Sequence, residues 1–260
     1  MKIRVLTDNT AGSGFLAEHG LSFLIEADGK SILFDTGHTD VFLRNALRMG
    51  VNIQNTLETV VLSHGHWDHG DGLQHLYGKT LITHPSAFMK RYRKSDRSYI
   101  GLALSMHEME QKYKIIATRQ PIKISEGIWF LGEIPRLNSF EATTTSFVDE
   151  SGQPDFVPDD SALAVVQDNK LYVITGCSHS GICNIVEHAK KVSAIDQVHA
   201  VIGGFHLKHQ NEQTKKTIEY FRTQKIPHLL PSHCTELPAL AAFYETFKIS
   251  QLKTGTILEF

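Results

Sequence analysis

The feature that most restricts this chain is the run Ser63-His64-Gly65-His66-Trp67-Asp68-His69-Gly70, which follows directly on the apolar segment Thr59–Leu62. Thr59–Leu62 reads as a short buried strand, and a strand end fixes where the next loop begins. His64, His66, Asp68 and His69 place four metal-ligating side chains within six residues. Imidazole and carboxylate suit zinc, and also iron and manganese. Gly65 allows a tight turn, so His64 and His66 can converge on one ion. Asp68 and His69 fall a turn later, where a second ion fits. Crowding disfavours protonation of the rings and favours their neutral, metal-ready form. The plain alternative is a polar loop of solvated histidines, but four ligand types rarely meet at this spacing by chance. One or two bound transition-metal ions are expected, zinc first.

Around this run the pattern is layered. Lys2–Thr7 alternates and predicts a strand. Leu21–Ala27 and Ser31–Phe34 predict a hairpin turned by Asp28-Gly29. Thr39–Met49 carries apolar residues at helical spacing and stops at Gly50. A helix is expected from the ligand run to Tyr77, then a strand at Thr80–Thr83. Residues 85–125 break the rhythm with the basic stretch Lys90–Lys94 and a helix expected near Tyr99–Tyr113. After a strand at Ile128–Leu131 and an irregular segment to about Asp160, strands Leu163–Val166 and Leu171–Thr175 flank an Asp168-Asn169 turn. Helices over Gly181–Val192, Glu212–Gln224 and Pro238–Phe247 then alternate with strands Val198–Ile202, His228–Leu230 and Thr256–Glu259. Hairpins followed by alternating strands and helices predict an α/β architecture of sheets covered by helices.

The run Ser63–Gly72 resembles the signature of the metallo-β-lactamase superfamily, and Asp35-Thr36-Gly37 sits where that superfamily carries an upstream aspartate beside the metals. The resemblance covers most of the chain. It implies one domain over 1–260, a four-layer αββα sandwich, with an insert at about 85–155 shaping the substrate pocket. It implies that His64 and His66 bind one metal and Asp68 and His69 the other. Five further segments resemble a narrower branch, that of dihydropterin ribofuranosylaminobenzene phosphate synthase: Ala17–Ser22, Gly132–Arg136, Thr175–His179, Gly203–Leu207 and Pro231–Thr235. That branch implies a phosphoribosyl-transfer condensation in pterin cofactor synthesis.

One loop does not complete a metal site. His179, His206 and His233 each follow a predicted strand, where ligands converge. His233 matches the superfamily's final histidine, and His179 is expected as a ligand too. His206 is either a third-sphere partner of the metals, a substrate-binding group or a hydrogen-bonded loop residue. The chain departs from the superfamily in two places. Val157-Pro158-Asp159-Asp160 stands where a histidine is usual, and Cys177 stands where a bridging aspartate is usual. Cys177 is either a bridging thiolate or a small packed residue. Asp159 or Asp160 is either the missing carboxylate or a solvated acid.

On the substrate side, Arg136 suits a phosphate or carboxylate, with an ion pair to Glu133 as the alternative. Glu18 and His19 are candidates for the site rim. Lys90–Lys94 is either a phosphate contact or a solvated loop. Tyr99, Leu102, Leu104, Met106 and Met109 are either an apolar pocket wall or a core-facing helix.

The expected activity is metal-dependent hydrolysis, by a metal-activated hydroxide, of an ester, phosphoester or lactone-like bond in a small molecule. Asp68 and Asp35 are the expected catalytic carboxylates, with His206 beside them. The rivals are the phosphoribosyl condensation, an iron electron-transfer protein and a non-catalytic ligand-binding member of the fold. A net charge of −2 gives no basic field for nucleic acid or anionic membrane. No apolar run approaches the ~18 residues of a membrane span. Three cysteines, with a start that reads as a strand rather than a signal segment, predict a cytoplasmic chain.

Overall fold

Two sheets stack face to face in a computed structural model that describes residues 1–260. The first has seven strands, in the order Ile257–Glu259, Lys2–Thr7, Ser22–Ala27, Lys30–Phe34, Thr59–Val61, Lys79–Thr83, Tyr113–Ala117. The second has six, in the order His228–Ser232, Val198–Gly204, Lys170–Thr175, Ala162–Gln167, Ile128–Phe130, Ile122–Ser125. Asp28-Gly29 and Asp168-Asn169 both hold positive φ, as two-residue hairpin turns require. They fix the registers Ala27↔Lys30 and Gln167↔Lys170.

Burial follows from these registers. Ile3, Phe23, Ile25, Ile32, Phe34 and Val61 of the first sheet meet Phe130, Leu163, Val165, Ile174 and Ile202 of the second in one core. The outer face of the first sheet packs Leu24, Leu33 and Leu81 against Phe42 and Ala46 of the helix Val41–Arg48. The outer face of the second packs Val173 and Val201 against helices Ile182–Ser193, Glu212–Gln224 and Leu237–Phe247. The helix Ile182–Ser193 buries Ile182, Ile185, Val186 and Ala189, a stripe at i, i+3, i+4 and i+7. Each buried Ile or Val contributes about 1.5–3 kcal/mol of transfer free energy. The layering is helix–sheet–sheet–helix. No helix is long and apolar enough to cross a membrane.

Strand direction places the functional loops. Lys30–Phe34, Thr59–Val61, Lys79–Thr83 and Tyr113–Ala117 are mutually parallel, and so are Lys170–Thr175, Val198–Gly204 and His228–Ser232. Parallel neighbours end at the same edge, so Asp35, His64, Cys177, His179, His206 and His233 all follow strands at one rim of the sandwich.

Several expectations are corrected. The helix near Tyr99–Tyr113 shrinks to Met106–Glu110, started by a Ser105/Glu108 capping box. Upstream, the backbone is held elsewhere: Ile100 donates to Arg91 O and accepts from Trp67 N. Tyr113 opens a strand instead, because Lys79–Thr83 offers an unpaired edge to Tyr113–Ala117. The helix to Tyr77 is one turn at Trp67–Gly70 and a 3-10 turn at Asp71–His75. The segment to Asp160 is not wholly irregular: Arg91–Arg93, Phe147–Asp149 and Pro154–Asp155 form a third, small sheet.

Candidate metal centre

The ligand loop leaves the strand Thr59–Val61 with its amides already occupied. Asp35, buried and at φ +57°, accepts from the Ser63 amide and the Ser63 hydroxyl, both at 2.7 Å. Gly65 is obligatory, since a Cβ there would lie 1.7 Å from the Ala87 carbonyl oxygen. Its amide donates to Asp159 Oδ2 at 2.7 Å. The loop is thus tied on both sides before any side chain reaches a metal.

The hydrogen bonds also set the tautomers. His69 Nδ1 lies 2.7 Å from Asp35 Oδ2 and donates to it, so His69 Nε2 is the nitrogen left to face inward. Ser63 Oγ donates to Asp35 and accepts from His64 Nδ1 at 2.9 Å, which frees His64 Nε2. His233 Nδ1 lies 3.0 Å from Asn9 Oδ1, which frees His233 Nε2. His64 Nε2 sits 3.0 Å from His66 Nδ1, and His69 Nε2 sits 3.1 Å from both His233 Nε2 and Cys177 Sγ.

These atoms gather into overlapping groups: His64, His66 and His179; Asp68, His69 and His233; and His64, His69 and Cys177. Within each group the donor atoms lie within 4.8 Å of one another. Buried Nε2 atoms of His66 and His179 have no hydrogen-bond partner. Orphaned ring nitrogens facing one another fit cations and would otherwise be costly. The donor set therefore fits two divalent ions, with Cys177 between the groups.

Electrostatics agree. Burial first, then the neighbouring rings, hold His64 and His179 well below the usual histidine value; for His66, burial acts with the Arg91 charge. All three are neutral and ready to ligate. Burial also works against the His69 cation, but Asp68 and Asp35 outweigh it and raise His69 to about 9. A metal must therefore displace a proton from His69. Asp68 stays ionised: burial opposes this, and His69, His19 and His233 overcome it.

The groups open into a cavity of about 760 Å³ lined by His19, His66, Trp67, Asp68, Phe147, His179, His206 and His233, with Arg93, Lys94 and Lys208 among the other walls. A smaller hollow of about 190 Å³ shares Thr145–Phe147, His179, His206 and Lys208 with it.

The structure brings His64, His66, Asp68, His69, His179 and His233 together, with Asp35 behind His69 and His206 beside His179, ring centroids 4.4 Å apart. His19 reaches the rim, its Nε2 3.3 Å from Asp68 Oδ2. Glu18 and Arg136 stay outside the cavity. Glu18 accepts from the His38 and Thr39 amides and the Thr39 hydroxyl, tying down that loop. Arg136 donates to the Phe156 carbonyl, while Glu133 pairs with Arg119 and His84. Asp159 and Asp160 are buried rather than solvated, and neither joins a metal group. The basic stretch divides: Arg93 and Lys94 face the cavity, whereas Arg91 is fully buried against Asp159 and Asp155. Leu102 and Met109 belong to the core, and Tyr99 and Met106 are exposed. Asn9 and Cys234 also line the cavity; Asn9 has no sequence signal, and Cys234 only its place in the branch-like segment Pro231–Thr235.

Two predictions follow from the supporting groups. Asp35→Asn removes the charge that orients His69 and spoils one of two accepted bonds at Oδ2. Metal affinity should fall roughly 10–100-fold in a chelator competition; unchanged affinity would show that Asp35 serves only the fold. Asp160 accepts the Ser180 amide through Oδ2, while Oδ1 has no partner. Burial pushes its carboxyl up to about 6. A folded value above the unfolded 3.8 favours folding at low pH, and that benefit is lost as pH rises through 6. In metal-stripped protein, Asp160→Asn should raise stability at pH 8 by up to about 3 kcal/mol, and the gain should vanish near pH 4. Equal urea midpoints at both pH values would contradict the buried-charge account.

A sandwich of this topology with a His-x-His-x-Asp-His rim defines a class, and comparison with known proteins agrees: residues 17–233 match the model of the metallo-beta-lactamase superfamily. This chain belongs to that superfamily. It is 37% identical over 258 residues to an uncharacterized protein of Methanocaldococcus jannaschii, covering 96% of this chain and 94% of the relative. It is 33% identical over 285 residues to the 7,8-dihydropterin-6-methyl-4-(beta-D-ribofuranosyl)-aminobenzene-5'-phosphate synthase of the same organism, covering 100% and 97%. Among solved structures, a metal-dependent hydrolase of the beta-lactamase superfamily superposes with a TM-score of 0.89 at 31% identity, covering 100% of this chain and 99% of that one. A diphosphatase from the PhnP family shares the fold, with a TM-score of 0.57 at 17% identity.

Proposed function

We propose that this chain is a metal-dependent hydrolase acting on an ester, phosphoester or lactone-like bond of a small molecule. The observation that carries this reading is the pair of ligand groups, His64/His66/His179 and Asp68/His69/His233, opening side by side into the cavity floor. The solved structure named a metal-dependent hydrolase supports it at 31% identity. Zinc is the first choice of ion, with manganese and iron compatible with the same donors. Ions held there supply Lewis acidity and an acidified water. The chain does the rest. Asp35, Ser63 and Asn9 fix the ring orientations. Asp68, kept ionised, would hold one ion with His69 and His233 and orient a polar hydrogen at the reacting centre. Trp67 and Phe147 exclude water from the cavity walls. Arg93, Lys94 and Lys208 suit an anionic substrate such as a phosphate ester. Within residues 85–155, Arg93–Ser95, Ile100 and Thr145–Phe147 shape this pocket, whereas Tyr113–Phe130 supplies strands of the two main sheets, in a single cytoplasmic domain.

The relative named as a synthase supports a second reading, condensation with a phosphoribosyl donor. One experiment separates the two. Metal-stripped protein is reloaded with zinc or manganese and offered a generic phosphodiester, a generic lactone, and a phosphoribosyl pyrophosphate donor with an aminobenzoate acceptor. Metal-dependent turnover of either of the first two supports the hydrolase. Turnover of the donor pair alone replaces it with the synthase.

A further inference from the structure

The rim that builds the two metal groups also brings together a third set of donors. Strands Lys170–Thr175, Val198–Gly204 and His228–Ser232 run parallel and in register, Thr175 opposite Gly203 and Gly204 opposite Ser232. Two residues beyond each strand end stand Cys177, His206 and Cys234. Their donor atoms lie within 4.8 Å of one another. We propose that Cys177, His206 and Cys234 form a third, thiolate-rich metal site, sharing Cys177 with the paired groups, that takes a soft ion such as Cd²⁺, Cu⁺ or Zn²⁺.

The local backbone accommodates this grouping. A Cβ on Gly204 would lie 2.5 Å from Cys234 Sγ and 2.5 Å from the Gly176 carbonyl oxygen. Glycine is what lets the thiol approach the neighbouring strand. His206 sits at φ +50°, and its buried Nδ1 has no hydrogen-bond partner. Donors around one tetrahedral ion lie roughly 3.3–3.8 Å apart, so only a small contraction closes the group. All three residues line the cavity, which leaves a fourth position open to water or an added ligand. Two sulfurs and one nitrogen make a softer set than the nitrogen and oxygen donors next door. On binding, each thiol loses its proton to solvent and each sulfur gives a lone pair to the ion, with no change of oxidation state. The inference does not depend on which reaction the chain catalyses.

Reduced, metal-stripped protein titrated with Cd²⁺ tests it, with bound ion measured by dialysis and thiolate bonding by its ultraviolet charge-transfer absorption. The wild type should show the absorption of two thiolates. Cys234→Ser should lose one bound ion per chain and at least half of the absorption, any remainder coming from Cys177 on an ion of the paired groups. His206→Ala, which removes no sulfur, should weaken the same ion about tenfold or more and keep the absorption at saturation. Circular dichroism confirms that each variant is folded, and His206→Ala decides the matter if Cys234→Ser is not. Absence of thiolate absorption in the wild type overturns the proposal. So does an absorption that Cys177→Ser abolishes and Cys234→Ser leaves unchanged, since Cys177 then belongs to the paired groups alone.

Discussion

His66→Ala should lose bound metal and at least about 10³-fold in hydrolytic rate while keeping the fold. His66 offers one nitrogen to His64 and leaves the other buried without a partner, so its ring adds little to folding. His66 also lowers the basicity of His64 and His179, so its removal puts no new charge in their way. The loss falls on the ion, and with it the acidified water and the Lewis acid. Elemental analysis beside turnover of a generic phosphodiester and lactone checks this. Full metal content with wild-type turnover would remove the metal centre from the mechanism.

Arg91→Ala should cost roughly 3–5 kcal/mol of stability, the usual penalty for breaking a buried ion pair from one side. The Arg91 guanidinium donates to Asp159 Oδ1 at 2.7 Å and Oδ2 at 3.0 Å, with another bond to the Ser86 carbonyl. Its Nε lies 3.2 Å from Asp155 Oδ2 but is too poorly aligned to hydrogen-bond, so that contact is electrostatic. Without Arg91, two buried carboxylates face each other. Because Asp159 also accepts the Gly65 amide, the damage should spread to the ligand loop. Urea unfolding of the metal-stripped variant measures the cost. A loss below about 1 kcal/mol would mean that water already reaches the pair.

The layered fold and the first ligand loop are legible because both rest on local pattern. Continuous apolar strands, Asp28-Gly29, Asp168-Asn169 and the helix stripe Ile182–Ala189 each specify structure within a few residues. The ligand spacing His64–His69 does the same for chemistry. What escapes is set by distant partners. Tyr113–Ala117 is a strand because an edge awaits it, not because its residues alternate clearly. Arg91 reads like its neighbours Lys90, Arg93 and Lys94, and only Asp155 and Asp159, over sixty residues later, draw it inside. Arg136 and Glu133 look like a pair in sequence, yet each is claimed by a group from another segment. Asn9 carries no motif, and Cys234, though within the branch-like segment Pro231–Thr235, is given no role by it; strands ending at one rim bring both to the centre.

The two hollows share Thr145, Ser146 and Phe147, at the start of the strand Phe147–Asp149, together with His179, His206 and Lys208. A small molecule can occupy the larger hollow alone. A longer one can extend past the shared residues toward Thr143, His209 and Asn211 of the smaller hollow. The protein thereby holds a ruler as well as a reagent: the distance from the bond being broken to the end of the molecule becomes a property that it can select.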